Sequence, residues 1–92
     1  MKTKFLAIES DADGTQWTAF GGVTADDRYN RLHVLNNTGT ALEFRRNGTS
    51  DVFTLPDGMA WSFAIVHLGN IEFRRVDQSN TQVTPSAEAE LL

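Results

Sequence analysis

Leu42-Glu43-Phe44-Arg45-Arg46 decides the fold, because the chain repeats it as Ile71-Glu72-Phe73-Arg74-Arg75. Each copy alternates apolar and charged residues, the period-two pattern of a strand with one buried face. The pattern predicts Leu42, Phe44, Ile71 and Phe73 turned inward, and Glu43, Arg45, Glu72 and Arg74 turned outward. Arg46 and Arg75 then stand at the ends of the apolar faces. Opposite charges on neighbouring strands pair at about 0.2–1 kcal/mol each, which accounts for much of this charge without an active site. Each copy runs into a polar turn, Asn47-Gly48-Thr49-Ser50 in one case and Asp77-Gln78-Ser79-Asn80 in the other.

Working outward, the flanking segments read the same way. Thr3 to Ile8 predicts a first strand, ended by Ser10-Asp11-Ala12-Asp13-Gly14. Gln16 to Phe20 alternates again and Gly21-Gly22 breaks it. Val23 to Asn30 is a polar connection in which Thr24 to Tyr29 suits one helical turn capped by Thr24. Arg31 to Leu35 is a strand stopped by Asn36-Asn37-Thr38-Gly39, and Asp51 to Leu55 is another closed by Pro56-Asp57-Gly58. Met59 to Leu68 is the most apolar run. Its aromatic and β-branched content predicts a strand buried on both faces. Gly69-Asn70 would turn it directly into the second copy as a central hairpin.

Val83 to Leu92 alternates small apolar residues with Thr84, Ser86, Glu88 and Glu90. This predicts an extended arm or edge strand over 83–92, with Pro85 confining it to an edge, appended to a single β domain over 1–82. A short helix from Ser86 is the competing reading. Seven to eight short antiparallel strands at even spacing mean an all-β sandwich, jelly roll or small barrel.

Ninety-two residues form one domain near the lower limit of a self-sufficient core. The chain has no cysteine, so neither disulfides nor thiolate metal sites reinforce it. Oligomerisation or docking on a larger body is the remaining reinforcement. A net charge of −4 argues against nucleic acid and anionic membrane as partners. No apolar run approaches the roughly 20 residues that span a bilayer. Phe5 to Ile8 behind Lys2 and Lys4 is too short for a signal peptide, so the chain reads as made and kept in cytoplasm. On that reading the sequons at Asn36 and Asn47 are chance matches.

Chemistry-bearing patterns are few. Asp11-Ala12-Asp13-Gly14-Thr15 matches the DxDGT string of haloacid dehalogenase-like phosphatases. Those enzymes need a later lysine, and none follows Lys4. A calcium loop would need a late bidentate Glu that Gln16-Trp17-Thr18 does not supply. His33 and His67 have no second ligand at metal spacing, and no triad can be argued from them. The sequence therefore names no catalytic, metal or cofactor residue. Trp17 and Tyr29 remain weak candidates for glycan contact, while Trp61 reads as core.

The stretch His33 to Gly48, with Phe53-Thr54-Leu55-Pro56-Asp57-Gly58 behind it and Ile71 to Val83 as the second arm, resembles small β-sandwich virion proteins of tailed bacteriophages. The resemblance implies a non-enzymatic capsid cement or decoration protein, made in the host cytoplasm and carried on the virion surface. It implies an oligomer, commonly a trimer, that binds the major capsid protein. A neck or tail component, or a host-glycan-binding module, is the alternative. For contacts, the N-terminal strand (Lys4, Phe5) and the C-terminal arm (Val83, Pro85, Leu91, Leu92) are the first candidates, by strand addition to a neighbour. Arg45, Arg46, Arg74 and Arg75 come second.

Overall fold

A computed structural model describes residues 4–21 and 28–91. They form eight strands: β1 (Lys4–Ile8), β2 (Thr18–Ala19), β3 (Tyr29–Leu35), β4 (Leu42–Arg46), β5 (Phe53–Leu55), β6 (Ala60–Ala64), β7 (Ile71–Arg75) and β8 (Ser86–Leu91). A single 3₁₀ turn over Leu68–Asn70 precedes β7. The strands make two four-stranded sheets, one ordered β1-β8-β3-β6 and the other β2-β7-β4-β5, with every pairing antiparallel. That interleaved order is the jelly roll, two Greek keys folded over one core. The helical turn expected over Thr24 to Tyr29 falls largely outside the described residues.

The repeated word pairs with itself. Strands β4 and β7 lie side by side in antiparallel register, with Phe44 opposite Phe73, Glu43 opposite Arg74 and Arg45 opposite Glu72. Read backwards, Glu-Phe-Arg places an Arg against each Glu, so antiparallel pairing of the two copies is self-complementary. The inward residues Leu42, Phe44, Ile71 and Phe73 have no exposed surface. Phe20 joins them, stacking on Phe73 with ring centroids 4.4 Å apart, while Phe44 and Phe73 stack at 5.8 Å. From the opposite sheet Leu32, Val34, Ala87 and Ala89 complete the core. Each large apolar side chain so buried contributes about 1.5–3 kcal/mol.

Asn36 is the one polar residue wholly buried in this core among the described residues. Its side chain donates to the carbonyls of Thr40 and Leu55 at 2.8 and 2.9 Å, and accepts from the Thr38 N–H and hydroxyl. One side chain thus satisfies the turn between β3 and β4 and ties it to β5. After β5, Met59 N–H closes on Pro56 O at 3.2 Å around Gly58, whose φ of +84° needs a residue without Cβ.

Three sequence expectations are corrected here. Residues 86–91 are extended, but β8 is an inner strand hydrogen-bonded to β1 on one side and β3 on the other. It is part of the domain and not an arm. Pro85 fits because it precedes the first β8 pairing, Ser86 with Leu35, and so no ladder bond is lost. Met59 to Leu68 is not buried on both faces. Its strand, β6, lies at a sheet edge, and Trp61 is 51% exposed. The central hairpin does not form either, since β6 and β7 belong to different sheets.

Candidate functional site

On the outer face of the second sheet, Glu43, Arg45, Glu72 and Arg74 form a square of alternating sign. Arg45 Nε donates to Glu72 Oε1 and Arg74 Nε to Glu43 Oε1, each at 2.5 Å. Trp17, just ahead of β2, lies over both cations, with guanidinium carbons 4.3 and 4.4 Å from its ring centroid. Arg45 and Arg74 are therefore half-buried and engaged with their own sheet, not offered to a partner. Replacing Trp17 by Ala is expected to lower stability by about 1–2 kcal/mol, because two partly desolvated cation–π contacts are lost together. Urea unfolding at low and high salt checks this, with the variant the more salt-sensitive of the two.

Arg75 is also committed. It grips Asp77 through Nε and Nη2 at 2.9 and 2.7 Å, and donates to Thr81 O at 3.1 Å. That hydrogen-bonded guanidinium, helped by the Ser79 N–H, holds the Asp77 carboxyl down at about 2. A depressed folded value adds stability above the ordinary value of 3.8 that is lost as pH falls through about 2. Melting temperatures of the parent and Asp77→Asn are thus expected to differ most above pH 4 and to converge near pH 2. A constant difference across that range would show that Asp77 acts without its charge. Arg46 is exposed at the end of β4 and makes no ion pair among the described residues.

The remaining contact candidates divide. Pro85 is fully buried, and Val83 and Leu91 pack against the core. Val83 also exchanges backbone hydrogen bonds with Ala12. These three help to close the domain. Phe5 stays 55% exposed on the edge strand β1. Lys4 pairs with Leu91 through its backbone, and Leu92 lies outside the described residues. Tyr29 is buried at 6% exposure, on the sheet opposite Trp17, so the two do not form a glycan platform.

The Asp11 to Thr15 loop is self-satisfied. Asp13 accepts from the Thr15 hydroxyl and N–H at 2.7 and 2.9 Å, which lowers its pKa, and Asp11 accepts from the Thr84 hydroxyl. Among the described residues no three His, Cys, Asp or Glu side chains converge.

Two surfaces escaped the sequence. An open groove of about 690 Å³ crosses the outer face of the first sheet. In it His33 Nδ1 lies 2.6 Å from Ser62 Oγ, and Nε2 lies 3.6 Å from Glu90 Oε2 with no hydrogen-bond partner. The Glu90 distance is too long for the hydrogen bond that orients a catalytic imidazole. The neighbouring N–H groups of β3 and β8 lie in the ladders between strands. The second surface is the rim of β6, where Met59 is 55%, Trp61 51% and Val66 47% exposed. Trp61 faces the core side and packs at a tilt against Phe53 of β5, with ring centroids 4.9 Å apart, at the open seam between the sheets. Only the pairing order, which places β6 outside β3, makes this run a rim.

No family model and no curated protein matches the chain. Among solved structures it is similar to a chain described with the words "Bacillus endospore appendages form a novel family of disulfide-linked pili". The similarity has a TM-score of 0.49 and 14% identity, over 98% of this chain and 86% of that one.

Proposed function

We propose that this chain is a non-enzymatic structural subunit that works in an assembly. In its specific form it is a capsid cement protein of the tailed-phage kind its sequence resembles, an oligomer on the outer surface of a shell of major capsid protein. The observation that carries the assembly reading is the apolar rim of β6, on a body where the charges of the repeated strands β4 and β7 are paired with one another and not held out to a partner. Apolar side chains grouped on one edge mark a contact, whereas scattered ones do not. The contribution is mechanical: apolar area buried at the rim, with Arg46 and Phe5 as further exposed contacts, resists separation of the shell subunits. The C-terminal strand cannot dock by strand addition, because its two edges are occupied within the domain.

The test is an add-back experiment. Particles stripped of the protein are heated beside particles to which it has been returned. Restored particles are expected to rupture at a higher temperature, and equal rupture temperatures would overturn the cement reading.

A further inference from the structure

Four sheet edges face outward, and three carry the devices that keep an edge from pairing. Strand β2 has two residues. Strand β5 has three, between Asp51 and Pro56-Asp57. Strand β1 begins at Lys4 and ends before Glu9. Short length, charge and Pro all discourage strand addition. Strand β6 has none of these. It is five residues long, lies in the run Met59-Ala60-Trp61-Ser62-Phe63-Ala64-Ile65-Val66 without a charge, Pro or Gly, and pairs with β3 without a bulge. Among the described residues nothing pairs with its outer edge.

The backbone fixes what that edge presents. Asn36 N–H donates to Met59 O at 2.9 Å and Ile65 N–H donates to Asn30 O at 3.3 Å. Bonded pairs alternate along an antiparallel ladder, so between these two Trp61 and Phe63 direct their N–H and C=O groups at β3. Ala60, Ser62 and Ala64 direct theirs at the open edge. Their side chains, all small, point to the outer face of the sheet.

We infer that this edge is closed by β6 of a second copy of the chain, antiparallel, with a two-fold axis at Ser62. The inference deepens the assembly reading and rests on it. A strand paired with its own copy sets like against like near the axis, which penalises charge; β6 carries none. The axis at Ser62 places Ser62 opposite Ser62 of the second copy and Ala60 opposite Ala64, so every outward N–H and C=O of the strand is bonded. Moving the axis to Trp61 or Phe63 leaves one residue of each strand unpaired. The same register brings Trp61 against Phe63 of the second copy in a close, non-bonded pair on the core side, covering the exposed indole.

The cysteine-free chain makes the test direct. Light scattering on the intact protein is expected to give twice the monomer mass. In oxidising buffer Ser62→Cys is expected to form a disulfide-linked dimer, because Cα atoms of a bonded antiparallel pair lie about 5.5 Å apart, within disulfide span. Ala60→Cys and Ala64→Cys are each expected to stay unlinked, whereas a chain carrying both links. Trp61→Lys is expected to give a folded monomer, with circular dichroism confirming the fold. A monomeric parent, or a dimer or trimer that Ser62→Cys does not link, overturns the pairing. A linked dimer that fails to stabilise particles overturns the cement reading alone, and stabilisation by a monomer overturns the pairing alone.

Discussion

Phe73→Ala is expected to lower the unfolding free energy by about 3–5 kcal/mol, the cost of emptying a ring-sized volume in a packed core. Phe73 sits at the centre of the aromatic stack, on Phe20 at 4.4 Å and beside Phe44 at 5.8 Å, with no exposed surface. Both neighbours would lose a stacked face, and the strands that carry them are too constrained by their ladders to collapse inward. A domain this small holds only about 5–10 kcal/mol in total. The variant therefore keeps only a fraction of the parent's stability unless an assembly supports it. Urea unfolding checks this, with a lower midpoint at unchanged slope. Val76→Ala, at a side chain 40% exposed, serves as the control and is expected to shift stability by no more than about 0.5 kcal/mol. A shift for Phe73→Ala as small as the control's would mean that the ring does not fill a packed core.

The second large effect is at Gly14. A Cβ there would meet Gln78 Cα at 2.1 Å, its carbonyl carbon at 2.3 Å and Ser79 N at 2.7 Å. All three are backbone atoms, so no side chain can swing aside. Gly14 N–H donates to Ser79 O at 2.6 Å, and the adjacent Asp13 O accepts from Arg75 N–H at 3.2 Å. Gln78 itself holds a φ of +59°, already strained for a residue with a Cβ. Gly14→Ala forces the β1–β2 loop off the β7–β8 loop and is expected to cost about 3 kcal/mol, at the upper end of overpacking effects. Gly48→Ala is the informative comparison. Its φ of +80° imposes conformational strain of roughly 1 kcal/mol, and its Cβ meets nothing within 4 Å. Calorimetric melting of both variants separates crowding from strain. If Gly14→Ala melts no lower than Gly48→Ala, the two loops do not depend on close approach.

The parts of this fold legible in the sequence are those written in local alternation. Leu42, Phe44, Ile71 and Phe73 point inward because a pleated strand offers only two faces, and Glu43 and Arg45 had to share the other. Alternation says nothing about which strands become neighbours. Residues 86–91 read correctly as extended, yet the same pattern serves an edge or a centre, so the slot between β1 and β3 could not be seen. Ala60, Ser62 and Ala64 mislead in a different way. Alanine counts as apolar in a run but removes so little area from water that exposing it costs little. Val83, Pro85 and Leu91 read as contact residues in one dimension because a segment outside the repeat looks spare; in three dimensions they help to close the core. Trp17 bridges Arg45 and Arg74, and His33 meets Ser62, through pairings between distant segments that no spacing rule encodes.

The position of β8 has a consequence for synthesis on the ribosome. Strands β1 and β3 are made early, but the sheet that contains them has a gap until β8, the last strand to emerge, is inserted between them. Until then both flanking strands expose unpaired backbone, and the register from Lys4–Leu91 to Ile8–Ala87 cannot form. Completion is thus a late event that joins segments far apart in the sequence, of the high-contact-order kind that takes milliseconds to seconds. A nascent chain caught in that interval is open to capture by another, and any pause that delays residues 86–91 prolongs the exposure.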